Sequence, residues 1–167
     1  MKNIAIVGFM GTGKTVTAKL LAKRLGLRYV SIDELIEKRE KRSISEIFAK
    51  EGEEYFRKIE SQIIKDVSEE ENVVIDAGGG AVVKNENIKN FKKKGTIICL
   101  RAKPEVILER TKGYKHRPLL NVADPKSKIE ELLLARSLYY KTVDWQIDTS
   151  NLTVDEVAKE IEKIMHE

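Results

Sequence analysis

The residues with the plainest chemical purpose stand near the amino terminus. Gly8-Phe9-Met10-Gly11-Thr12-Gly13-Lys14-Thr15 satisfies G-x-x-x-x-G-K-[ST] at every defined position. An apolar run, Ile4-Ala5-Ile6-Val7, precedes it, and Val16, Leu20, Leu21 and Leu25 follow at the spacing of one helical face. A strand, a glycine-rich turn and a helix make the setting in which backbone N–H groups can close around a phosphate, aided by the partial positive charge of the helix start. Gly11, Thr12 and Gly13 are the expected cradle. Lys14 is expected to reach the β- and γ-phosphates as a point charge, and Thr15 to offer its hydroxyl to Mg²⁺. A ligand-free turn is the bland alternative, and the full motif in its proper context argues against it.

A second glycine cluster, Gly78-Gly79-Gly80, follows the apolar run Val73-Val74-Ile75-Asp76. Three consecutive glycines cost backbone entropy, so a close approach of backbone to a ligand is the natural reason for them, against the alternative of a flexible turn.

These loops need a scaffold, and the pattern supplies one. Strands are expected at Ile4–Val7, Arg28–Ile32, Val73–Ile75, Thr96–Leu100 and Trp145–Asp148. Between them lie helices: one ending at Gly26, one from about Asp33, one opened by a capping-box pattern at Ser43–Glu46 and ending near Gly52. A long amphipathic helix from Glu53 to Ser68 follows, then helices near Asn85–Lys94, from Pro104 to about Arg110, and from about Ser127 to Lys141. The last helix opens with a second box, Thr153 to Glu156. Strands alternating with helices over short links imply an α/β fold with a parallel sheet covered on both faces. Both glycine loops then emerge at the carboxyl edge, where ligands bind.

The bulk numbers limit the function classes. The 167 residues suit one domain and are 41% hydrophobic, with 31 basic and 27 acidic side chains well mixed to a net charge of +4. The excess suits small anionic ligands. Lys92-Lys93-Lys94 is too short for a nucleic-acid stripe and reads as a solvated helix end, so no nucleic-acid partner is expected. No run approaches a membrane span, and Met1-Lys2-Asn3-Ile4 enters a strand directly, so the expectation is a cytoplasmic chain with no membrane partner. Cys99, alone and inside an apolar run, reads as a buried thiol. A chain this short with a phosphate loop and no added domain fits a small-molecule kinase better than a motor or a switch.

A set of further motifs resembles the shikimate kinases. They are Asp33 and Glu37, Ser43-Ile44-Ser45-Glu46-Ile47-Phe48, Gly52-Glu53 with Phe56-Arg57-Lys58-Ile59-Glu60, Gly78-Gly79-Gly80-Ala81-Val82, Arg117-Pro118-Leu119-Leu120, and Ala135-Arg136 with Tyr139. The resemblance spans nearly the whole length, in order. It implies a three-layer P-loop kinase fold with a five-stranded parallel sheet, a substrate-binding segment at about 33–60 and a mobile lid at about 111–124. It also implies transfer of the ATP γ-phosphate to the 3-hydroxyl of shikimate, a step of aromatic amino-acid biosynthesis; the chain is expected to act as a monomer.

The matched residues suit that chemistry. Arg57 and Arg136 fit as a planar clamp for the carboxylate of shikimate. Asp33 fits as acceptor for the ring hydroxyls and for the proton of the attacking one. Backbone N–H groups of Gly78, Gly79 and Gly80 would line the ring. Arg117, on the lid, would close over the transferring group beside Lys14, and Arg110 resembles the family arginine that stacks on adenine. Taken singly, each arginine could be a surface ion pair and Asp33 a helix cap.

The pattern breaks in one place. The family usually carries Asp-x-Asp after the second strand, where this chain reads Ser31-Ile32-Asp33. Asp76, at the end of an apolar strand, has the form of the second nucleotide-binding motif of P-loop proteins. The expectation is that the Mg²⁺-side carboxylate has moved there, against the alternative that Asp76 satisfies loop donors. Two other functions remain in view: a sibling kinase for another small hydroxylated acid, and a nucleotide-dependent sensor that transfers nothing.

Overall fold

The computed structural model describes residues 1–112 and 122–167. Strand β1 (Asn3–Gly8) is buried along its whole length. Its side chains alternate between two cores, as a strand covered on both faces must. Ala5 and Val7 pack with Val30, Val73, Ile75, Ile97 and Cys99 on one side. Ile4 and Ile6 pack with Val74, Ile98, Leu100 and Ile147 on the other. Burial pushes the Cys99 thiol up to about 12, so it is an inert core group.

The remaining strands are β2 (Arg28–Ser31), β3 (Val73–Asp76), β4 (Gly95–Arg101) and β5 (Trp145–Asp148), all parallel, in the order β2-β3-β1-β4-β5. Helices α1 (Lys14–Leu25) and α7 (Val154–His166) cover one face through Ala18, Leu21, Val157 and Ile161. On the other face lie α2 (Ile32–Glu40), α3 (Ile44–Ser68) and α4 (Asn85–Lys94), with Ile36, Ile64 and Phe91 in the core. Helix α6 (Pro125–Tyr140) joins that face through Tyr140, and α5 (Pro104–Thr111) packs Ile107 against Ile129 and Phe9. The parallel α/β sheet expected from the alternation is thus present. None of the described helices is long and apolar enough to cross a membrane.

Local signals set the element ends. Gly26 closes α1 in the left-handed region at φ 68°. Thr153 and Glu156 form a complete capping box. Ser43 accepts the Glu46 N–H, while the Ile44 N–H goes to the Glu37 carboxylate of α2. Gly52 is non-helical, at φ 85° and ψ 173°, and a kink there divides α3 into the two helical stretches expected on either side of it. Ser31 caps α2 by accepting the Glu34 N–H, so Asp33 lies in the first turn and is not the cap. Lys92, Lys93 and Lys94 end α4, with Lys94 Nζ donating to the Glu69 carbonyl at 2.6 Å. Of the lid segment, residues 113–121 lie outside the described residues, Arg117 among them.

Because β3 and β4 flank β1, the chain leaves β1 toward one face and β3 toward the other. The crevice between them opens at the carboxyl edge, where both glycine loops stand. Far from it, the Thr153 box offers a clean test of stability. Thr153→Ala should lower the free energy of unfolding by about 1 kcal/mol, with an unchanged m-value in urea titration.

Candidate active site

Gly8 ends β1 at φ 133°, and a Cβ there would collide with the Leu100 carbonyl of β4. The chain can therefore turn at that point only without a side chain. The loop that follows is braced on one atom: Thr12 Oγ1 and Lys14 Nζ both donate to the Phe9 carbonyl, at 2.7 Å and 3.2 Å. Gly13 precedes α1 at φ 86° and no side chain caps that helix. A helix start without a side-chain cap suits a phosphate cradle.

Thr15 donates to Asp76 Oδ2 at 2.7 Å, and the Tyr29 hydroxyl donates to the same oxygen at 2.8 Å. Asp76 is 7% exposed and stands opposite Ser31 in the β2–β3 register. Burial, then the neighbouring carboxylate of Asp76, holds the Tyr29 phenol well above its ordinary range, so it remains a donor. A hydroxyl and a carboxylate beside the phosphate loop are hard oxygen donors of the kind Mg²⁺ takes when it keeps most of its water. The described residues hold no cluster of three or more His, Cys, Asp or Glu that could take a metal ion by themselves.

A cavity of about 290 Å³ runs from this carboxylate to two arginines. Lys14, Thr15, Asp33, Arg57, Asp76, Gly78, Gly79, Gly80 and Arg136 all line it. The kink at Gly52 brings both parts of α3 to it, with Ser45 and Phe48 from before the bend and Phe56 and Glu60 from after it. Arg57 Nη1 donates to Glu60 Oε1 at 2.8 Å, and Glu60 is wholly buried. Burial pushes the Glu60 carboxyl up, against the pull of the Arg57 guanidinium. Arg136 is 5% exposed, and its guanidinium lies 5.5 Å from the centre of the Phe9 ring. Arg136 Nη1 and Glu60 Oε2 are buried without a hydrogen-bond partner among the described residues. An unpartnered guanidinium nitrogen on a cavity wall is costly unless an anion completes it.

The triple glycine has a more specific reason than ligand approach. A Cβ on Gly80 would strike the Arg57 guanidinium, and one on Gly79 would stand 2.7 Å from the Gly8 carbonyl and 3.3 Å from Arg136 Nη1. The bare backbone lets both arginines and the phosphate loop pack against it. Tyr140 seals that contact by donating to the Gly79 carbonyl at 3.1 Å.

Arg110 lies at the other end of the phosphate loop. It donates to the Gly11 carbonyl at 3.2 Å and to the Thr149 carbonyl at 3.0 Å. Thr149 Oγ1 accepts from Arg110 and has one proton to share between the Thr12 and Arg101 carbonyls, at 3.1 Å and 2.9 Å. The guanidinium therefore ties the loop to the segment after β5, a site suited to the base side of a nucleotide.

Sequence reasoning assigned no role to Tyr29, Phe9 or Glu60. For Glu60 a signal existed: a carboxylate three residues after Arg57 on a helix can pair with it. The contacts of Tyr29 and Phe9 depend on strand register and loop path, which spacing does not reveal.

The shikimate kinase family model matches residues 10–166. A shikimate kinase of Thermodesulfovibrio yellowstonii is 51% identical over 98% of this chain and 94% of its own length. Another, from Caldanaerobacter subterraneus subsp. tengcongensis, is 47% identical over 96% of this chain and 94% of its own. Among solved structures, a shikimate kinase from Acinetobacter baumannii in complex with shikimate aligns at a TM-score of 0.95 and 34% identity, over 99% of this chain and 93% of that one. The Aquifex aeolicus shikimate kinase aligns at 0.85 and 38% identity, over 98% and 96%. The chain belongs to the shikimate kinase family.

Proposed function

We propose that the protein transfers the γ-phosphate of ATP to the 3-hydroxyl of shikimate. The observation that carries this reading is the single cavity with Lys14 on one part of its wall and Arg57 and Arg136 on another. A triphosphate held at the first and a carboxylate at the second would bring a ring hydroxyl between them. The unpartnered Arg136 nitrogen supports an anionic acceptor over a neutral sugar.

The residues divide the work. Gly11, Thr12 and Gly13 supply backbone donors to the β-phosphate, and Lys14 leaves the Phe9 carbonyl to neutralise charge on the transferring group. Arg57, held by Glu60, and Arg136, held over Phe9, grip the carboxylate and fix the ring. Asp33 accepts the proton of the attacking hydroxyl as its oxygen bonds to phosphorus and the ADP oxygen leaves. Gly78, Gly79 and Gly80 keep that ring close to the backbone. Arg110 orders the base side of the nucleotide. Arg117 closes over the reacting phosphoryl group. Thr15 and Asp76 hold the cation side, Asp76 in place of the aspartate absent at position 31. A magnesium ion held by them would supply positive charge to offset that of the phosphates during transfer.

Release of ADP, measured over a panel of hydroxylated acids and sugars, should be fastest with shikimate. A faster acceptor of another kind would overturn the substrate, and the absence of any shikimate-dependent turnover would overturn the kinase reading. Arg136→Ala removes charged hydrogen bonds worth about 2–3 kcal/mol, so the KM for shikimate should rise roughly 30- to 150-fold while the KM for ATP holds. Lys14→Ala should instead cut kcat by at least about 10²-fold, because the lost charge acts on the transition state. Steady-state kinetics on both variants separates the roles, and equal effects on both substrates would contradict them. Asp76→Ala should raise the Mg²⁺ concentration needed for half-maximal turnover by about tenfold or more. An unaltered Mg²⁺ titration would remove Asp76 from the cation site.

A further inference from the structure

Tyr29 takes no part in the chemistry above, yet it lines the reaction cavity and spends its hydroxyl on one carboxylate oxygen. We propose that Tyr29 is a positioning residue for the divalent cation, locking Asp76 so that its second oxygen faces the water shell of the ion. This rests on the reading of Asp76 as the cation-side carboxylate.

The geometry favours that use of the phenol. Thr15 and Tyr29 both donate to Asp76 Oδ2, at 2.7 Å and 2.8 Å. Oδ1 accepts none of the hydrogen bonds found among the described residues, so the carboxylate has one oxygen held and one available. A threonine hydroxyl has one proton and two lone pairs, so Thr15 can donate to Asp76 and still offer an oxygen lone pair to a cation. With Tyr29 removed, Thr15 alone could bond to either carboxylate oxygen, and Asp76 would lose its fixed orientation.

The sequence around Tyr29 makes it the residue able to do this. Residues two apart on a strand share a face, so Tyr29 and Ser31 of β2 point the same way, and Ser31 stands opposite Asp76. The long phenol reaches along the strand to the carboxylate. Ser31 keeps its hydroxyl for the Glu34 N–H at the start of α2. The Tyr29 ring itself is held against the α1 side of the sheet, with Lys19 Nζ 5.4 Å from its centre. Departure from the family pattern at position 31 thus comes with three coordinated features: a serine that caps, an aspartate one strand inward, and a tyrosine that orients it.

Equilibrium binding of ADP, with and without MgCl₂, tests the assignment without relying on turnover. In the unsubstituted protein Mg²⁺ should tighten ADP binding. Tyr29→Phe should reduce that tightening by about tenfold, the usual scale for an outer-shell partner of a metal ligand, and leave Mg²⁺-free ADP affinity unchanged. Asp76→Asn should abolish the tightening, and the double variant should behave as Asp76→Asn alone. If Tyr29→Phe keeps the full effect of Mg²⁺, or weakens ADP equally with and without it, the role of Tyr29 is overturned and that of Asp76 stands. Additive losses in the double variant would overturn it as well. If Asp76→Asn retains the tightening, the reading of Asp76 falls and takes this one with it.

Discussion

The pairing of β1 with β3 is the constraint on which the site depends. Ile6 stands opposite Asp76 in that ladder, so the phosphate loop and the triple glycine leave the sheet side by side. Contact between them is close enough that a methyl group on Gly79 would meet the Gly8 carbonyl. A phosphate-binding turn and a platform for two arginines are thereby fused into one rigid unit. Each lies on backbone whose position is set by strand hydrogen bonds, and neither depends on long side chains finding one another.

That unit carries a deliberate imbalance. Arg57 is paired with Glu60, but Arg136 lies buried over Phe9 with a nitrogen left unpartnered. Folding therefore leaves a cationic group short of a hydrogen bond inside a cavity, at a cost of about 1–3 kcal/mol. Anything that binds the folded state and supplies the missing acceptor restores stability by mass action. On the proposed reading, much of the energy of binding a carboxylate is set aside before the acceptor arrives, because the guanidinium plane needs little further ordering.

Most of this architecture was legible in the residues. The apolar runs gave β1, β3 and β4, since parallel strands buried on both faces show unbroken hydrophobicity, whereas β2 and β5 at the sheet edges carry polar residues and were legible only from the alternation with helices. Gly26, Ser43 and Thr153 marked helix ends through cap chemistry. Gly52 was legible as the break between two helical stretches, while the direction the second one takes depends on where Phe56 and Ile59 meet the core. The phosphate loop declared itself because its function needs fixed backbone geometry, and geometry of that kind needs glycine at fixed spacing. Asp33, Arg57 and Arg136 gather around one cavity although they are far apart in the chain, and spacing alone could not have joined them. The reason for Gly80 could not be read at all, because the atom it must avoid belongs to Arg57, a residue more than twenty positions away.

The proposed placing of the cation-side carboxylate at position 76, with a serine at position 31, is compatible with the sheet itself. Neighbouring strands lie about 4.8 Å apart, so carboxylates at both positions would face each other across one step of the ladder. At an effective dielectric of about 20, two such charges roughly 5 Å apart repel by about 3 kcal/mol. One carboxylate beside the phosphates is useful, and two adjacent ones must be reconciled by a cation at all times. A serine at the end of β2 removes that repulsion and still caps α2. The aspartate at the end of β3 then needs donors of its own while no cation is near, and Thr15 and Tyr29 provide them. On the proposed reading, a carboxylate at the end of β3 can serve the cation side as one at the end of β2 would, because the two positions stand side by side in the sheet.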